Sequence, residues 1–269
     1  MITASILALV LAILLIGRMG SHLRFSREVK ALFKASDRNA DKVFSYDQLE
    51  SLPEPVQRYF KLVLKEGQPY ISYISLTHDG QFKAGLDKGW MNIKGEQYFT
   101  TQRPGFIWKG STNLFTARDM FMEDRGSLKV SILNLYPLAE GKGSSFDEGE
   151  LQRWVAESVW FPTNLLPGEF ICWTPVNAFT AQLSFRYKTI AFEFKVRFNA
   201  AGEITAMETK RFMGETGSEA WIVRLAGYKR FDGMFIPTKC EALWLLPKGE
   251  FPYARFVVQK VVYNVPGRM

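Results

Sequence analysis

Histidine and cysteine are scarce in this chain of 269 residues, two of each, and the scarcity removes whole classes of chemistry. His22 lies beside an apolar amino-terminal run and His78 just ahead of Asp79-Gly80, so a histidine-based nucleophile triad has almost nothing to work with, and His78 reads as a turn residue. Two distant cysteines, Cys172 and Cys240, and two distant histidines do not make a zinc site. The cysteines, both on segments with strand character, read as small buried hydrophobes; pairing them would need an oxidising compartment and close Cα atoms. Glycine-rich nucleotide loops are missing too. "GKGSSFDEG" begins with Gly-x-Gly but has neither the strand-glycine-helix order of a dinucleotide site nor the Gly-Lys-Ser/Thr of a phosphate loop. No metal and no cofactor is expected.

A concentrated charge of one sign is also lacking. The net charge is +7 and the pI near 9.3, yet residues 1–66 hold ten Lys or Arg against seven acids and the rest 24 against 20. A nucleic-acid binder gathers its basic residues on one reading element, and none is visible. A mild attraction to anionic lipid headgroups fits this balance better. Fixed-period repeats and low-complexity linkers are absent as well.

What is present begins at the amino terminus. "MITASILALVLAILLIG" carries no charged side chain, and Arg18, Arg24, Arg27, Lys30 and Lys34 follow it. Seventeen helical residues span about 25 Å, enough for a membrane helix once its flanks snorkel. No Lys or Arg precedes the run and no small-x-small cleavage site follows, so an uncleaved single-pass anchor through residues 2–17 is expected, in the inner membrane of a cell, rather than a cleaved signal. The positive-inside rule places the basic cluster, and the domain behind it, in the cytoplasm.

"SHLRFSREVKALFKASDR" sets Leu23, Val29, Leu32 and Phe33 at roughly helical spacing and reads as an amphipathic juxtamembrane helix and linker. "SLPEPVQRYFKLVLKEGQP" predicts a second helix with Val56, Tyr59, Phe60 and Val63 on one face. From Tyr70 the pattern becomes short β-branched and aromatic runs, broken by Asp79-Gly80, Arg125-Gly126, Ala201-Gly202 and Asp232-Gly233, which are hairpin signals. In "KTIAFEFKVRF" Ile190, Phe192, Phe194, Val196 and Phe198 alternate with mostly polar residues, as in an antiparallel strand wet on one side. Ten or eleven such strands predict a mainly β (α+β) domain. Its form is one large curved antiparallel sheet, a half-barrel whose concave face is covered by helices. The expected division is a transmembrane anchor at 1–20, a juxtamembrane helix and linker at 21–49, and one domain at 50–269.

The cover is "EGELQRWVAESVWFPTNLLP". Leu151, Trp154, Val155, Ser158 and Val159 share one helical face, Glu150, Arg153 and Glu157 another, and Pro162 stops the helix. The polar face has two uses. It can be a solvated side with Arg153 held between two carboxylates, or Glu150 and Glu157 can serve as acid and base beside a substrate, with a tryptophan raising a carboxyl pKa. The aromatic share is 14%, with 22 Phe. Clusters around Tyr98, Phe99, Phe106 and Trp108, and around Trp244, Phe251, Tyr253 and Phe256, exceed what a core alone asks for. Trp108, Tyr98, Trp154, Trp160, Phe161 and Arg153 are therefore the expected lining of a site for a membrane lipid or another apolar small molecule. Two alternatives stay open: a hydrolase-type enzyme using Glu150 and Glu157, and a membrane-tethered scaffold that binds another protein through an exposed apolar patch.

The segments "LPEPVQRYF", "EQYFTTQRPGFIW", "EGELQRWVAESVWFPTNLLP" and "YKRFDGMFIPTKCEALWLLPKGEFPYARF" resemble an uncharacterised family of bacterial, often membrane-anchored proteins of unknown function, over most of residues 50–264. That resemblance implies relatives and no reaction. The expected architecture is similar to the lipoprotein-localisation-factor superfamily, whose half-barrels hold acyl chains. By that likeness the domain would face the periplasm, opposite to the side the charge rule gives.

Overall fold

Period-two alternation builds most of the molecule. In the computed structural model Ile190–Phe198 is a strand whose Phe194, Val196 and Phe198 are buried while Ala191, Glu193 and Lys195 face solvent. The structure describes residues 2–36, 42–133, 136–214 and 217–269, and the side chains of residues 2–4 and 6–15 lie outside the description. Thirteen strands pair into one sheet: β1 Tyr73–Phe82, β2 Met91–Thr100, β3 Gly105–Ser111, β4 Phe115–Met122, β5 Arg125–Ile132, β6 Tyr136–Lys142, β7 Ile171–Asn177, β8 Thr180–Tyr187, β9 Ile190–Phe198, β10 Ile204–Phe212, β11 Ser218–Phe231, β12 Met234–Leu246 and β13 Gly249–Tyr263. The order is β6-β5-β4-β3-β2-β1-β13-β12-β11-β10-β9-β8-β7. Two meanders of consecutive hairpins are thus joined at a central seam between β1 and β13, antiparallel throughout.

Two of the four expected turns sit where the sequence placed them. Asp232 and Gly233 are both left-handed, at φ 46° and 84°, and link β11 to β12. Gly202 (φ 89°) turns β9 into β10. Asp79-Gly80, by contrast, lies inside β1. Its glycine answers to a close approach, because a Cβ there would fall 2.1 Å from the Arg255 carbonyl of β13. Near Arg125-Gly126 the turn is two residues earlier, at Glu123-Asp124. His78 is likewise no turn residue but a buried mid-strand side chain.

Laid flat, nine inter-strand steps of roughly 4.8 Å would put β4 some 43 Å from β8. Instead the Phe121 and Tyr187 rings are 6.5 Å apart, and the Tyr187 hydroxyl donates to Asp124 Oδ1 at 2.6 Å. Lys188 and Arg103 reach the other oxygen of Asp124 at 2.5 and 2.8 Å. The two wings of the sheet therefore fold towards each other and meet at their hairpin tips. The face between them holds the main core, with helix α2 (Glu54–Val63), helix α3 (Ser144–Glu157) and the short 3-10 turns Ser158–Trp160 and Pro162–Leu165 packed into it. α2 presents Val56, Tyr59, Phe60 and Val63, all buried.

The other face carries a smaller core. Helix α1 (Ile2–Lys34) is continuous, and its last turns lay Phe25, Val29, Leu32 and Phe33 against Tyr73, Tyr98 and Ile107. Leu23, grouped with that face from spacing, is 53% exposed, and Phe25 takes the buried place instead. The carboxy-terminal Arg268 ties this helix down, bonding Ser26 at 2.9 Å and Glu96 at 2.8 Å. Among the described residues no helix is long and apolar enough to cross a membrane. The expected anchor at 2–17 falls almost wholly on positions whose side chains lie outside the description.

Candidate functional site

Between α3 and the inner face of the sheet lies a cavity of about 560 Å³. α3 forms its roof. Ser145, Phe146, Gly149, Glu150, Arg153 and Glu157 line it, a stripe at spacings of three and four residues, while Leu151, Trp154 and Val155 turn away into the filled core. The walls are apolar and come from both wings: Ile93, Trp108, Phe115 and Val130 on one side, Trp221, Val223, Trp244 and Phe256 on the other. Of the lining residues that remain exposed, the two large ones, Leu138 (55%) and Phe212 (37%), mark where it meets the surface.

α3 is seated by its first turn. Asp147 Oδ1 accepts from the Gly126 N–H of β5 at 2.7 Å. Gly126 has no side chain to keep them apart; a Cβ there would come within 2.3 Å of the Phe146 carbonyl oxygen.

One end of the cavity is charged and nearly dry. Arg153 donates from Nε to Glu157 at 2.9 Å and from Nη1 to Asp119 of β4 at 2.5 Å, and its guanidinium lies over the Phe106 and Trp108 rings at 5.2 and 4.8 Å. Gln97 donates to the second oxygen of Glu157 at 2.5 Å. Glu150 stands apart: its nearest cationic partner is Arg211 Nη2 of β10 at 3.9 Å, and the Arg211 guanidinium lies over the Trp221 ring at 4.6 Å. Oε2 of Glu150 and Oδ1 of Asp119 are buried without a hydrogen-bond partner. Burial, and after it the nearby charge of Asp119, push the Glu150 carboxyl up to about 8. Burial also raises Asp119 and Glu157, with Arg153 opposing it in both.

Behind this end, Trp108 Nε1–H donates to His78 Nε2 at 2.8 Å, which fixes the imidazole as the tautomer protonated on Nδ1. Burial first, then the Arg153 charge, hold His78 down at about 3. His78 therefore braces a cavity wall as a neutral group. Cys240 also lines the cavity as a free thiol pushed up to about 12, mainly by burial; Cys172 is free and exposed. Among the described residues no group of His, Cys, Asp and Glu is disposed to hold a metal ion.

Of the eight residues singled out from sequence, Trp108, Glu150, Arg153 and Glu157 are brought together here. The polar face of α3 is not solvated: Glu150, Arg153 and Glu157 are 4–8% exposed. Nor is Arg153 held between Glu150 and Glu157, since Asp119 takes the place expected of Glu150. The other four do not line the cavity. Tyr98 faces the opposite side of β2, against Phe25 and Phe33 of α1, because strand parity that turns Gln97 and Phe99 inward turns Tyr98 out. Trp154, Trp160 and Phe161 are fully packed core residues. Trp154 donates to the Thr100 carbonyl at 3.0 Å, Trp160 to the Pro237 carbonyl at 3.1 Å, and Phe161 packs against Phe99 with the rings tilted and 4.8 Å apart. Asp119, Arg211, Trp221 and His78 were missed. For Asp119 a signal existed: it falls in phase with Ala117 and Phe121, so the face that turns Phe121 inward turns an aspartate inward too, partly buried.

Fold and site together define a mainly β protein built on one open antiparallel sheet, with an apolar cavity roofed by a helix and charged at one end. The chain belongs to a family of unknown function, DUF6544, whose model matches residues 42–256. No curated protein matches it. Among solved structures it is similar to a LolA superfamily protein from Nitrosomonas europaea, at 10% identity and TM-score 0.37, covering 77% of this chain and 90% of that one. It is also similar to a putative outer membrane lipoprotein-sorting protein domain from Vibrio parahaemolyticus, at 11% identity and TM-score 0.38, covering 80% and 93%.

Proposed function

We propose that this protein binds a lipid or another apolar molecule inside a half-barrel, under α3 as a lid, and that residues 2–17 hold it at the membrane. The observation that carries this reading is the cavity itself. Its volume of about 560 Å³ lies within the roughly 300–1,000 Å³ of small-molecule sites. Its walls are aromatic and aliphatic, with polar groups confined to one end. The half-barrel form is supported by the contact between wings at Asp124, and the anchor by the uncharged run before Arg18.

The test is a titration of the full chain, held in lipid nanodiscs, with a fluorescent apolar probe excited by energy transfer from Trp108, Trp221 and Trp244. Saturable binding is expected, and Ala117→Phe, which fills the cavity from β4, is expected to weaken it at least about tenfold. Probe binding that ignores this substitution would remove the cavity as the site.

Acid–base catalysis is the competing use of the same residues, and one observation favours it: Asp119 is a second carboxylate beside Glu150, which stays protonated at neutral pH. Against it, Asp119 and Glu157 are both held by Arg153, so neither is a free base.

A further inference from the structure

The charged end of the cavity carries more information than its apolar walls. Of the side chains lining the cavity, those with a buried, unpartnered polar atom are Glu150 and Asp119, and both atoms are carboxylate oxygens. Glu150 is 4% exposed, so open solvent does not satisfy its Oε2. Such an atom costs stability unless something that enters the cavity donates to it. Arg153 directs its Nε at Glu157 and its Nη1 at Asp119, and its face is covered by two rings. Arg211 sits over the Trp221 ring, too far from Glu150 for a hydrogen bond. Three carboxylates, Asp119, Glu150 and Glu157, stand against two guanidiniums. With Glu150 protonated the charges stand level, two against two; ionising all three carboxylates needs one more positive charge.

Resting on the apolar-ligand reading, we propose that the ligand is a cationic amphiphile whose amino group donates to Glu150 Oε2 and Asp119 Oδ1 while its hydrocarbon part lies along Trp108, Trp221 and Trp244. An ammonium supplies three donors on a compact charge, enough for both unpartnered oxygens. It adds the positive charge that lets all three carboxylates ionise together, so the carboxyl proton of Glu150 leaves to solvent as the ammonium arrives. The charges that face Glu150 are Asp119 from β4, Arg211 from β10, and Arg153 and Glu157 from α3, and none of them is displaced.

The experiment is competition against the same fluorescent probe, on the full chain in nanodiscs with empty nanodiscs subtracted, by dodecylamine, dodecanol and dodecanoate. The expected order at pH 7.5 puts dodecylamine at least about tenfold ahead of dodecanol, with dodecanoate last. Glu150→Gln is expected to reduce the ratio of amine to alcohol by about tenfold, and partitioning into the bilayer cancels in that comparison. Should the variant fail to fold, the order of the three ligands on the unaltered protein decides. Equal displacement by amine and alcohol would overturn the amino-group inference and leave the apolar site standing. Dodecanoate in first place would overturn it as well and give the headgroup to Arg211. Displacement by none of the three would remove the apolar-ligand reading along with it.

Discussion

At the scale of single residues, two buried titratable groups give the molecule opposite pH dependences. Glu150 is raised in the folded state from 4.5 to about 8, so the native protein holds its proton more tightly than the unfolded chain. Its contribution is full below pH 4.5 and is lost as pH rises towards 8. His78 is lowered from 6.5 to about 3, so its contribution is full above pH 6.5 and is lost as pH falls towards 3. Each slope is at most about 1.4 kcal/mol per pH unit, and between pH 4.5 and 6.5 the two oppose each other. Melting temperatures of the full chain against pH, compared with Glu150→Gln and with His78→Gln, check this. The first substitution is expected to flatten the alkaline decline and the second the acid one, because glutamine can still accept from Trp108. Identical profiles would mean that neither group is as dry as its surroundings imply. The sequence announced Glu150 through its helical neighbours but could not announce His78. A lone histidine before Asp-Gly carries the local signature of a turn, and only pairing with β13 and β2 makes it a core residue.

At the scale of elements, α3 has two jobs on two faces, and they are separable. Trp154 belongs to the packing face, fully buried, with its ring 6.0 Å from Phe185 and its N–H on Thr100. Trp154→Ala is expected to cost roughly 3–5 kcal/mol in unfolding experiments. The probe affinity of the folded fraction is expected to change less than about threefold, since Trp154 does not line the cavity. A large loss of affinity at unchanged stability would reverse that assignment. Helical periodicity made α3 legible: its face of Leu151, Trp154 and Val155 is the buried one, and Pro162 follows its end. What periodicity could not tell was that the opposite, polar face is buried too. A helix with Glu, Arg and Glu at that spacing looks the same over water or over a sheet. The distinction lay in Asp119 and Arg211, on strands 34 and 58 residues away from Arg153. The strands themselves were legible through alternation in β9 and through the Asp232-Gly233 turn. Tyr98 and Phe99, adjacent aromatics of opposite parity, could not be assigned a face without their partners.

At the scale of the whole molecule, the two wings of the thirteen-strand sheet share a core and also meet at their tips. Asp124 gathers Arg103 from its own wing and Tyr187 and Lys188 from the other, and these partners hold its carboxyl down at about 2 against the cost of burial. A depressed carboxyl stabilises above its unfolded value and stops doing so as pH falls towards 2. Asp124→Ala is expected to cost about 1–2 kcal/mol, because the site is partly exposed. It is also expected to speed amide exchange at both hairpin tips, from residues 121–125 and 185–190, while the seam between β1 and β13 keeps its protection. Unchanged exchange at the tips would show that the core under α3 holds the wings without this contact.

The seam has a consequence for how the chain is born. Of the thirteen described strands β1 leaves the ribosome first and β13 last, yet they are neighbours at the middle of the sheet. At about 5–20 residues per second, the far edge of β1 waits roughly 10–35 s for its partner. During that interval two half-sheets can form separately, each with a bare edge inviting the wrong strand. Joining them waits on β13, and Arg268 then pins α1, which is made before any of the thirteen strands. A nascent chain halted shortly before β13 would expose two sticky edges, so premature termination near residue 250 would feed aggregation rather than leave a slightly shortened protein.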